Sequence, residues 1–265
     1  VIERISVEVT NRCHKGCSFC YSSSNPEGES RWTADELVSF AADCARGGVR
    51  AMSLGGGEPL QWEPLLDVLA RTRGLLFRSM TTNGLGLDEA RLDALAAVAP
   101  EKIHVSIHFP DRELEVRRAI QRCAAIAARG IKSGVNLLVR RSGLEAARRA
   151  SAALAAAGIG PERIVYLPMR GQDTPSPEEV ARVAGAARFQ SMTCLGGCAK
   201  SPRFCSIGWD RSVAWCSYTG ARRTLAAPTY AALVDAITGR GGEGELGLRF
   251  CGDDGALLPL RKASA

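Results

Sequence analysis

The chain has 265 residues, 46% of them hydrophobic, 23% charged and 6% aromatic, with a formal net charge of +6. That composition describes a globular protein with room for one barrel-sized domain, or one domain plus a small appendage. It argues against a membrane protein, since no run approaches the length of a span and no signal-peptide pattern opens the chain, and against a nucleic-acid partner, since the arginines are dispersed and no basic block is interleaved with aromatics.

Ten cysteines without a secretory segment suit a reducing compartment, where thiols hold metals and clusters rather than pair; a cytoplasmic protein is expected. The chain starts inside a strand-like run and without Met, so a few trimmed residues are expected before Val1.

Residues 4–10 alternate, with Ile5, Val7 and Val9 on one side and Ser6, Glu8 and Thr10 on the other, which is a strand with one apolar face. Directly after it comes Cys13, then Cys17 and Cys20, with three and then two residues between them. The spacing brings three thiolates around one small cavity on one loop. A [4Fe-4S] cluster normally takes four thiolates, so three leave one iron open to something that is not protein. A structural zinc site would be closed by four ligands, usually in two knuckles, and a disulfide framework would leave one of the three unpaired.

Residues 22–31, with Pro26 and Gly28, read as a polar, flexible segment. Thr33 is a helix N-cap with Glu36 in the capping-box position, and the helix ends at Gly47 and Gly48. Strands are then expected at 50–54, 75–81, 102–109, 133–140 and 163–169, and helices at 63–72, 88–98, 112–129, 144–157 and 177–188. Six strand–helix pairs in succession predict parallel strands joined by right-handed crossovers.

Within the strands Ile103, Val105, Ile107 and Phe109 alternate with His104, Ser106 and His108, and Val135, Leu137 and Val139 alternate with Gly134, Asn136 and Arg140. An open doubly wound sheet buries both faces and tends to be apolar throughout. One polar face suits instead a curved sheet with helices outside only. The expected α/β fold is a partial (β/α)6 TIM-like barrel with a small C-terminal cysteine-rich β-hairpin and helix extension, and its site lies at the C-terminal ends of the strands. The helix–strand rhythm stops near Ser191, giving an expected division into 1–190 and 191–265. In the second part 206–215 reads as a hairpin turning around Asp210 and Arg211, 228–238 as a helix, and 239–244 as a glycine-rich link to Cys251 and a basic tail.

Directly after the second strand comes Gly55-Gly56-Gly57-Glu58-Pro59. Glycines there let the backbone approach a ligand closely, and exposed backbone groups with Glu58 can meet a cationic amine. Cys44, in step with Leu37 and Ala41, and Cys123, in step with Ile120 and Ala127, read as buried small hydrophobes.

The C-x3-C-x2-C loop, with Phe19 before its last Cys, together with the glycine motif one strand later, resembles the signature of the radical S-adenosylmethionine (radical SAM) superfamily. The resemblance implies a [4Fe-4S] cluster on Cys13, Cys17 and Cys20 whose open iron binds the amino and carboxylate groups of SAM. It also implies one-electron cleavage of SAM to a 5'-deoxyadenosyl radical that takes hydrogen from substrate. Gly56, Gly57, Glu58 and Pro59 match the GGEP motif that holds the SAM amino group, and Phe19 and Leu167 fall where the family contacts adenine through the backbone. Thr82 and Asn83 match a frequent TNG segment, although Asn-Gly is also a common turn. Ser106 matches a SAM-contacting position; His108, Asn136 and Arg140 are inward candidates for substrate or for the SAM carboxylate, with a structural histidine and a solvated strand-end arginine as the plainer alternatives.

Cys205 before the hairpin and Cys216 after it resemble the start of a SPASM or twitch module. A second, auxiliary [4Fe-4S] cluster is expected from among Cys194, Cys198, Cys205, Cys216 and Cys251, with zinc as its rival; five candidates for at most four places imply a bystander. The expected enzyme oxidises or forms a bond on a peptide or small metabolite in a biosynthetic pathway, with a flavodoxin- or ferredoxin-like reductant. No leader-gripping domain precedes the barrel, so a peptide substrate is expected to need a separate recognition protein. The rival readings are a non-enzymatic iron–sulfur carrier or sensor, against which the GGEP-like loop argues, and a nucleic-acid-modifying enzyme.

Overall fold

A computed structural model describes residues 2–185, 189–191 and 203–239. Cys194, Cys198 and Cys251 lie outside the described residues. In chain order the first elements are β1 (Arg4–Thr10), α1 (Ala34–Arg46), β2 (Ala51–Gly56), α2 (Leu65–Arg71), β3 (Phe77–Thr82) and α3 (Glu89–Val98). There follow β4 (Lys102–Ile107), α4 (Glu113–Ala128), β5 (Lys132–Val139), α5 (Leu144–Ala156), β6 (Ile164–Pro168), α6 (Pro177–Val183) and β7 (Gln190–Ser191). The last are β8 (Phe204–Ile207), β9 (Ser212–Ala214), β10 (Arg223–Thr224) and α7 (Tyr230–Thr238).

Two compact units contain these elements, one from residues 1–80, 97–101 and 200 onward, the other from 81–96 and 102–199. In the first, β2 pairs in parallel with both β1 and β3. On its other edge β1 pairs in parallel with β8, which turns back antiparallel into β9 and then β10. The hairpin expected at 206–215 thus forms. It belongs to the same compact unit as the cysteine loop. In the second unit β4, β5, β6 and β7 are parallel neighbours. Among the described residues β10 pairs only with β9 and β7 only with β6, so the α/β fold has a sheet that is not closed, and its described pairings are parallel apart from β8–β9 and β9–β10.

The alternation read in the sequence decides which face is core. Ile5, Val7 and Val9 are at most 1% exposed, as are Ile103, Val105, Ile107, Val135, Leu137 and Val139. Each such side chain contributes about 1.5–3 kcal/mol by leaving water. In α1, Leu37, Phe40, Ala41 and Cys44 make the buried stripe, and the Thr33–Glu36 capping box forms at its start, with the Thr33 side chain accepting from the Glu36 N–H and the Glu36 side chain from the Thr33 N–H. Cys44 and Cys123 are fully buried, as expected of small hydrophobes.

The opposite face of the first unit is polar. Ser206, Ser6, Ser53 and Ser79 are register partners across β8, β1, β2 and β3, so four hydroxyl side chains stand in one row. One layer toward the strand ends Glu8 pairs with Gly55.

Candidate cluster and cofactor site

The cysteine loop begins where β1 ends, and its backbone is pinned from two directions. From one side comes the segment 22–31. Asn11 N–H donates to the Glu29 carbonyl at 3.0 Å, Cys13 N–H to the Asn25 carbonyl at 2.8 Å, and Asn25 N–H to the Asn11 carbonyl at 3.1 Å. The Asn11 side chain accepts from Glu29 N–H at 2.6 Å and Arg12 Nε donates to the Gly28 carbonyl at 2.9 Å. A Cβ on Gly28 would collide with the backbone of Asn11 and Arg12. Composition suggested flexibility here; the finding is a strap, held by backbone bonds that hydropathy does not register.

From the other side comes the glycine motif. Gly57 N–H donates to the Thr10 carbonyl at 2.6 Å and Glu58 N–H to the Arg12 carbonyl at 2.8 Å. Gly56 has φ of 106° and its missing Cβ leaves room for the Thr10 carbonyl and the Glu8 side chain, while a Cβ on Gly57 would collide with the Arg12 carbonyl. Gly55 faces open space, with nothing within 4 Å of where its Cβ would be. Glu58 is 2% exposed; its carboxylate accepts from the Leu60 N–H at 3.2 Å and caps the 3-10 turn that Pro59 opens.

Cys13, Cys17 and Cys20 are all half-buried, and none of the seven described cysteines is in a disulfide. Cys20 N–H donates to the Cys17 carbonyl at 3.1 Å, and the Cys20 sulfur lies 3.5 Å from Ser22 Oγ. Gly16, at φ of 62°, makes the turn between the first two; Phe19 is half-buried beside the third. No three His, Cys, Asp or Glu side chains among the described residues converge as ligands of a single metal ion would. An iron–sulfur cluster takes each thiolate on a different iron, so three accessible thiols on one loop suit a cluster better than zinc.

Beneath the loop lies a polar cluster that sequence reasoning missed. Glu8, 5% exposed, has its carboxyl raised to about 7, first by burial and then by Asp210, against the pull of Arg222 and a hydrogen bond from the Trp209 backbone. Arg222 Nε donates to Ser212 Oγ at 2.7 Å, and that hydroxyl donates to Asp210 at 2.6 Å. Tyr21 has its phenol raised, mainly by burial and next by Glu8. The signal for Glu8 was present, as a charged residue on the polar side of the strand that feeds the cysteines. Its partners, some 200 residues later in the chain, carried none.

The tail cysteines separate. Cys205 is fully buried on β8, the register partner of Ile5 and a neighbour of Cys44, and burial pushes its thiol up to about 12. Cys216 is half-buried and accepts from the Tyr218 N–H at 3.5 Å. Its neighbour Ser217 donates to Ser206 Oγ at 3.0 Å, on the strand face opposite to that of Cys205. Cys205 therefore packs as a small buried hydrophobe, while Cys216 remains half-buried.

In the second unit, Thr82 and Asn83 are buried, and each side chain accepts from the backbone two residues on, Gly84 N–H at 3.1 Å and Leu85 N–H at 2.8 Å. That is turn chemistry. Ser106, Asn136 and Val165 are register partners, and Leu167 follows on the same face of β6. Asn136 Oδ1 accepts from His104 Nδ1 at 2.7 Å and Asn136 Nδ2 donates to Thr81 Oγ1 at 3.4 Å; burial holds the His104 imidazole down to about 4, so it is neutral. His108 is partly exposed, with its ring Nδ1 3.9 Å from Glu115. Buried Glu115 also accepts from the His108 and Phe109 N–H groups at 2.6 and 3.3 Å. The Arg140 guanidinium lies 5.7 Å from the Phe109 ring centroid.

No helix among the described residues is long and apolar enough to cross a membrane. Comparison with known proteins agrees with the fold. The chain is 32% identical over 149 residues to the PqqA peptide cyclase of Ruegeria pomeroyi, covering 52% of this chain and 40% of that protein. It is 31% identical over 113 residues to the probable GTP 3',8-cyclase of Methanopyrus kandleri, covering 43% of this chain and 36% of that protein. The chain thus matches less than half the length of these curated relatives. SuiB of Streptococcus suis superposes with a TM-score of 0.67 when bound to S-adenosylmethionine and 0.68 when bound to precursor peptide SuiA, at 15% and 14% identity. Each superposition covers 81% of this chain, and 60% and 59% of the SuiB chain. The Radical SAM superfamily model matches residues 7–183, from the strand that feeds the cysteines to the end of α6, and the chain belongs to that superfamily.

Proposed function

We propose that the chain is a radical SAM enzyme acting on a peptide. Cys13, Cys17 and Cys20 hold a [4Fe-4S] cluster, and the Gly56–Glu58 backbone receives the amino end of SAM. The observation that carries the reading is the joint between the two motifs, where Gly57 and Glu58 donate to the Thr10 and Arg12 carbonyls. Cluster ligands and SAM-binding backbone are then parts of one rigid piece, as chemistry at an open iron requires. When bound, the cluster with SAM supplies a one-electron cleavage that generates a radical able to take hydrogen from substrate. The chain's own residues bind and orient: the 22–31 strap fixes the loop, Gly55 leaves space beside it, and Ser106, Asn136, His108, Arg140 and Leu167 offer contacts to SAM or substrate.

Similarity to a peptide cyclase over 149 residues favours a peptide. So does the polar strand face of the first unit. Its described row of serines is uncharged and offers no cation to a triphosphate. The similarity to GTP 3',8-cyclases supports a nucleotide metabolite as the second reading. An auxiliary [4Fe-4S] cluster completes the proposal. With Cys44, Cys123 and Cys205 buried in the core, the cysteines left outside the first loop are Cys194, Cys198, Cys216 and Cys251, one full set of four. A flavodoxin or ferredoxin would supply the electron, a separate protein would present the peptide, and the setting would be cytoplasmic.

The test is anaerobic reconstitution with iron and sulfide, reduction with dithionite and addition of SAM. Release of 5'-deoxyadenosine is expected; its absence from protein with full iron content would sink the enzyme reading. Deuterium transfer to 5'-deoxyadenosine from a labelled peptide, rather than from labelled GTP, separates the two substrates.

A further inference from the structure

The strap over the cysteine loop is held at a second end. Its first part, from Asn25 to Glu29, is bonded to Asn11, Arg12 and Cys13. Its last part meets the turn 208–211 that joins β8 to β9. Arg31 N–H donates to the Trp209 carbonyl at 3.0 Å, and Trp32 Nε1 donates to the Gly208 carbonyl at 3.3 Å. Arg211 reaches back over the same stretch. Its guanidinium donates to the Arg31 carbonyl at 2.6 Å and pairs with the Glu36 carboxylate at 2.6 Å. It also lies 5.2 Å from the centroid of the Trp32 ring, within the range at which a guanidinium is drawn to an aromatic face. Trp32 is itself buried, with its ring 5.6 Å from that of Phe40 in α1.

The backbone of Arg211 says why its side chain matters. Its φ is 64°, in the left-handed region that glycine enters freely and other residues enter at a cost. The turn alone would be better served by glycine. What arginine adds is its contact with Arg31, Trp32 and Glu36, a hold on the strap at the end away from the cysteines. Only Ser30 separates Glu29, bonded to Asn11, from Arg31, bonded to the turn. A segment fixed at both ends gains few conformations by opening at one, whereas a segment fixed at one end peels.

We propose that Arg211 is a positioning residue for the cluster on Cys13, Cys17 and Cys20: by fastening the far end of the strap to the β8–β9 turn, it sets how firmly the cysteine loop holds its iron. The proposal rests on the functional reading above. It gives the C-terminal hairpin a role at the first cluster that uses none of the tail cysteines.

The test compares wild type with Arg211→Gly, Arg211→Lys and Glu36→Gln after anaerobic reconstitution. Arg211→Gly removes the guanidinium and leaves a backbone that suits the turn. Glu36→Gln weakens the ion pair and keeps a residue that still serves the capping box. Two rates are measured: hydrogen exchange of peptides spanning 11–31, by mass spectrometry, and the loss to a chelator of the EPR signal that responds to SAM. Arg211→Gly is expected to speed both by about fivefold to tenfold, the scale of one or two lost hydrogen bonds, while exchange in β3 and α2 stays within twofold of wild type. Arg211→Lys keeps a charge beside Glu36 and should recover part of both effects. Glu36→Gln should speed both rates less, and should add nothing to Arg211→Gly in the double variant. Rates within twofold of wild type in Arg211→Gly, acceleration spread equally over β3 and α2, or additive effects in the double variant would each overturn the proposal. Should Arg211→Gly not fold, Arg211→Lys and Glu36→Gln decide it by the same two rates, faster in both or the proposal falls. An iron-loaded wild type whose signal ignores SAM overturns the functional reading and this inference together; a wild type that responds to SAM beside an unaffected Arg211→Gly overturns the inference only.

Discussion

Gly57 and Arg12 lie so close that a single methyl group on the glycine would overlap the arginine's carbonyl. The next residue, Glu58, hydrogen-bonds that same carbonyl at 2.8 Å. A motif one strand removed from the cysteines is thus in backbone contact with their loop.

Gly57→Ala should accordingly be severe. The neighbour is backbone, flanked by the Cys13 ligand position, and cannot yield as a side-chain tip would. We expect a loss of about 2–4 kcal/mol of stability together with reduced iron retention after reconstitution. Gly55→Ala is the control, since nothing lies within 4 Å of the new Cβ. It should keep wild-type melting temperature and iron content while weakening SAM or substrate binding. Equal iron retention in the two variants would refute the contact.

Arg78 tests a buried charge away from the site. It is fully buried on β3, and its guanidinium donates to the Leu69, Val98 and Ala99 carbonyls and, with two nitrogens at 3.0 and 2.7 Å, to the Glu101 carboxylate. Removing the side chain takes a donor from three carbonyls and leaves the Glu101 carboxylate with backbone N–H groups alone. Arg78→Met is expected to cost about 3–5 kcal/mol, and Arg78→Lys to recover little of it, because one ammonium cannot cover a planar fork. Urea unfolding measures both; iron content in the surviving folded protein should be unchanged.

These two positions show where the sequence was readable. The cysteine loop, the glycine motif and the six parallel strands announce themselves because each is local: a spacing, a glycine run, a period of two. The strap at 22–31 was misjudged because its order comes from backbone hydrogen bonds, to which composition is blind. Glu8, Arg222, Tyr21 and Tyr218 meet only because β8 pairs with β1, a pairing across nearly the whole chain that no window of sequence contains. The burial of Cys205 beside Cys44 likewise follows from strand register, which its place in a cysteine series does not reveal.

Glu8 should make stability depend on pH. Its carboxyl is raised to about 7, chiefly by burial. Between the ordinary carboxylate value and 7 the folded chain therefore holds a proton that the unfolded chain has released. The stability is fully present below about pH 4.5 and is lost as pH rises through 7. At about 1.4 kcal/mol per unit, the decline attributable to Glu8 is on the order of 3–4 kcal/mol. Glu8→Gln keeps the shape without the charge, so its advantage over wild type should grow from pH 5 to pH 8. Parallel curves for the two proteins across that range, measured by urea midpoint, would remove Glu8 as the cause.

The clearest separation of the tail cysteines comes from pairing Cys205→Ala with Cys216→Ala. Cys205 sits in the apolar layer beside Cys44 with its thiol held neutral, so its replacement should cost about 1 kcal/mol through the small cavity left behind and leave iron per chain unchanged. Cys216 is half-buried and accepts from the Tyr218 N–H, and its loss should lower iron per chain by the content of one cluster while the signal of the first persists. Mössbauer spectra in a Cys13→Ala/Cys17→Ala/Cys20→Ala background sharpen the outcome. There all remaining iron belongs to the tail, and it should survive Cys205→Ala but not Cys216→Ala. Iron lost with Cys205 and kept with Cys216 would reverse the assignment, and zinc in place of iron in that background would replace the auxiliary cluster by a structural metal.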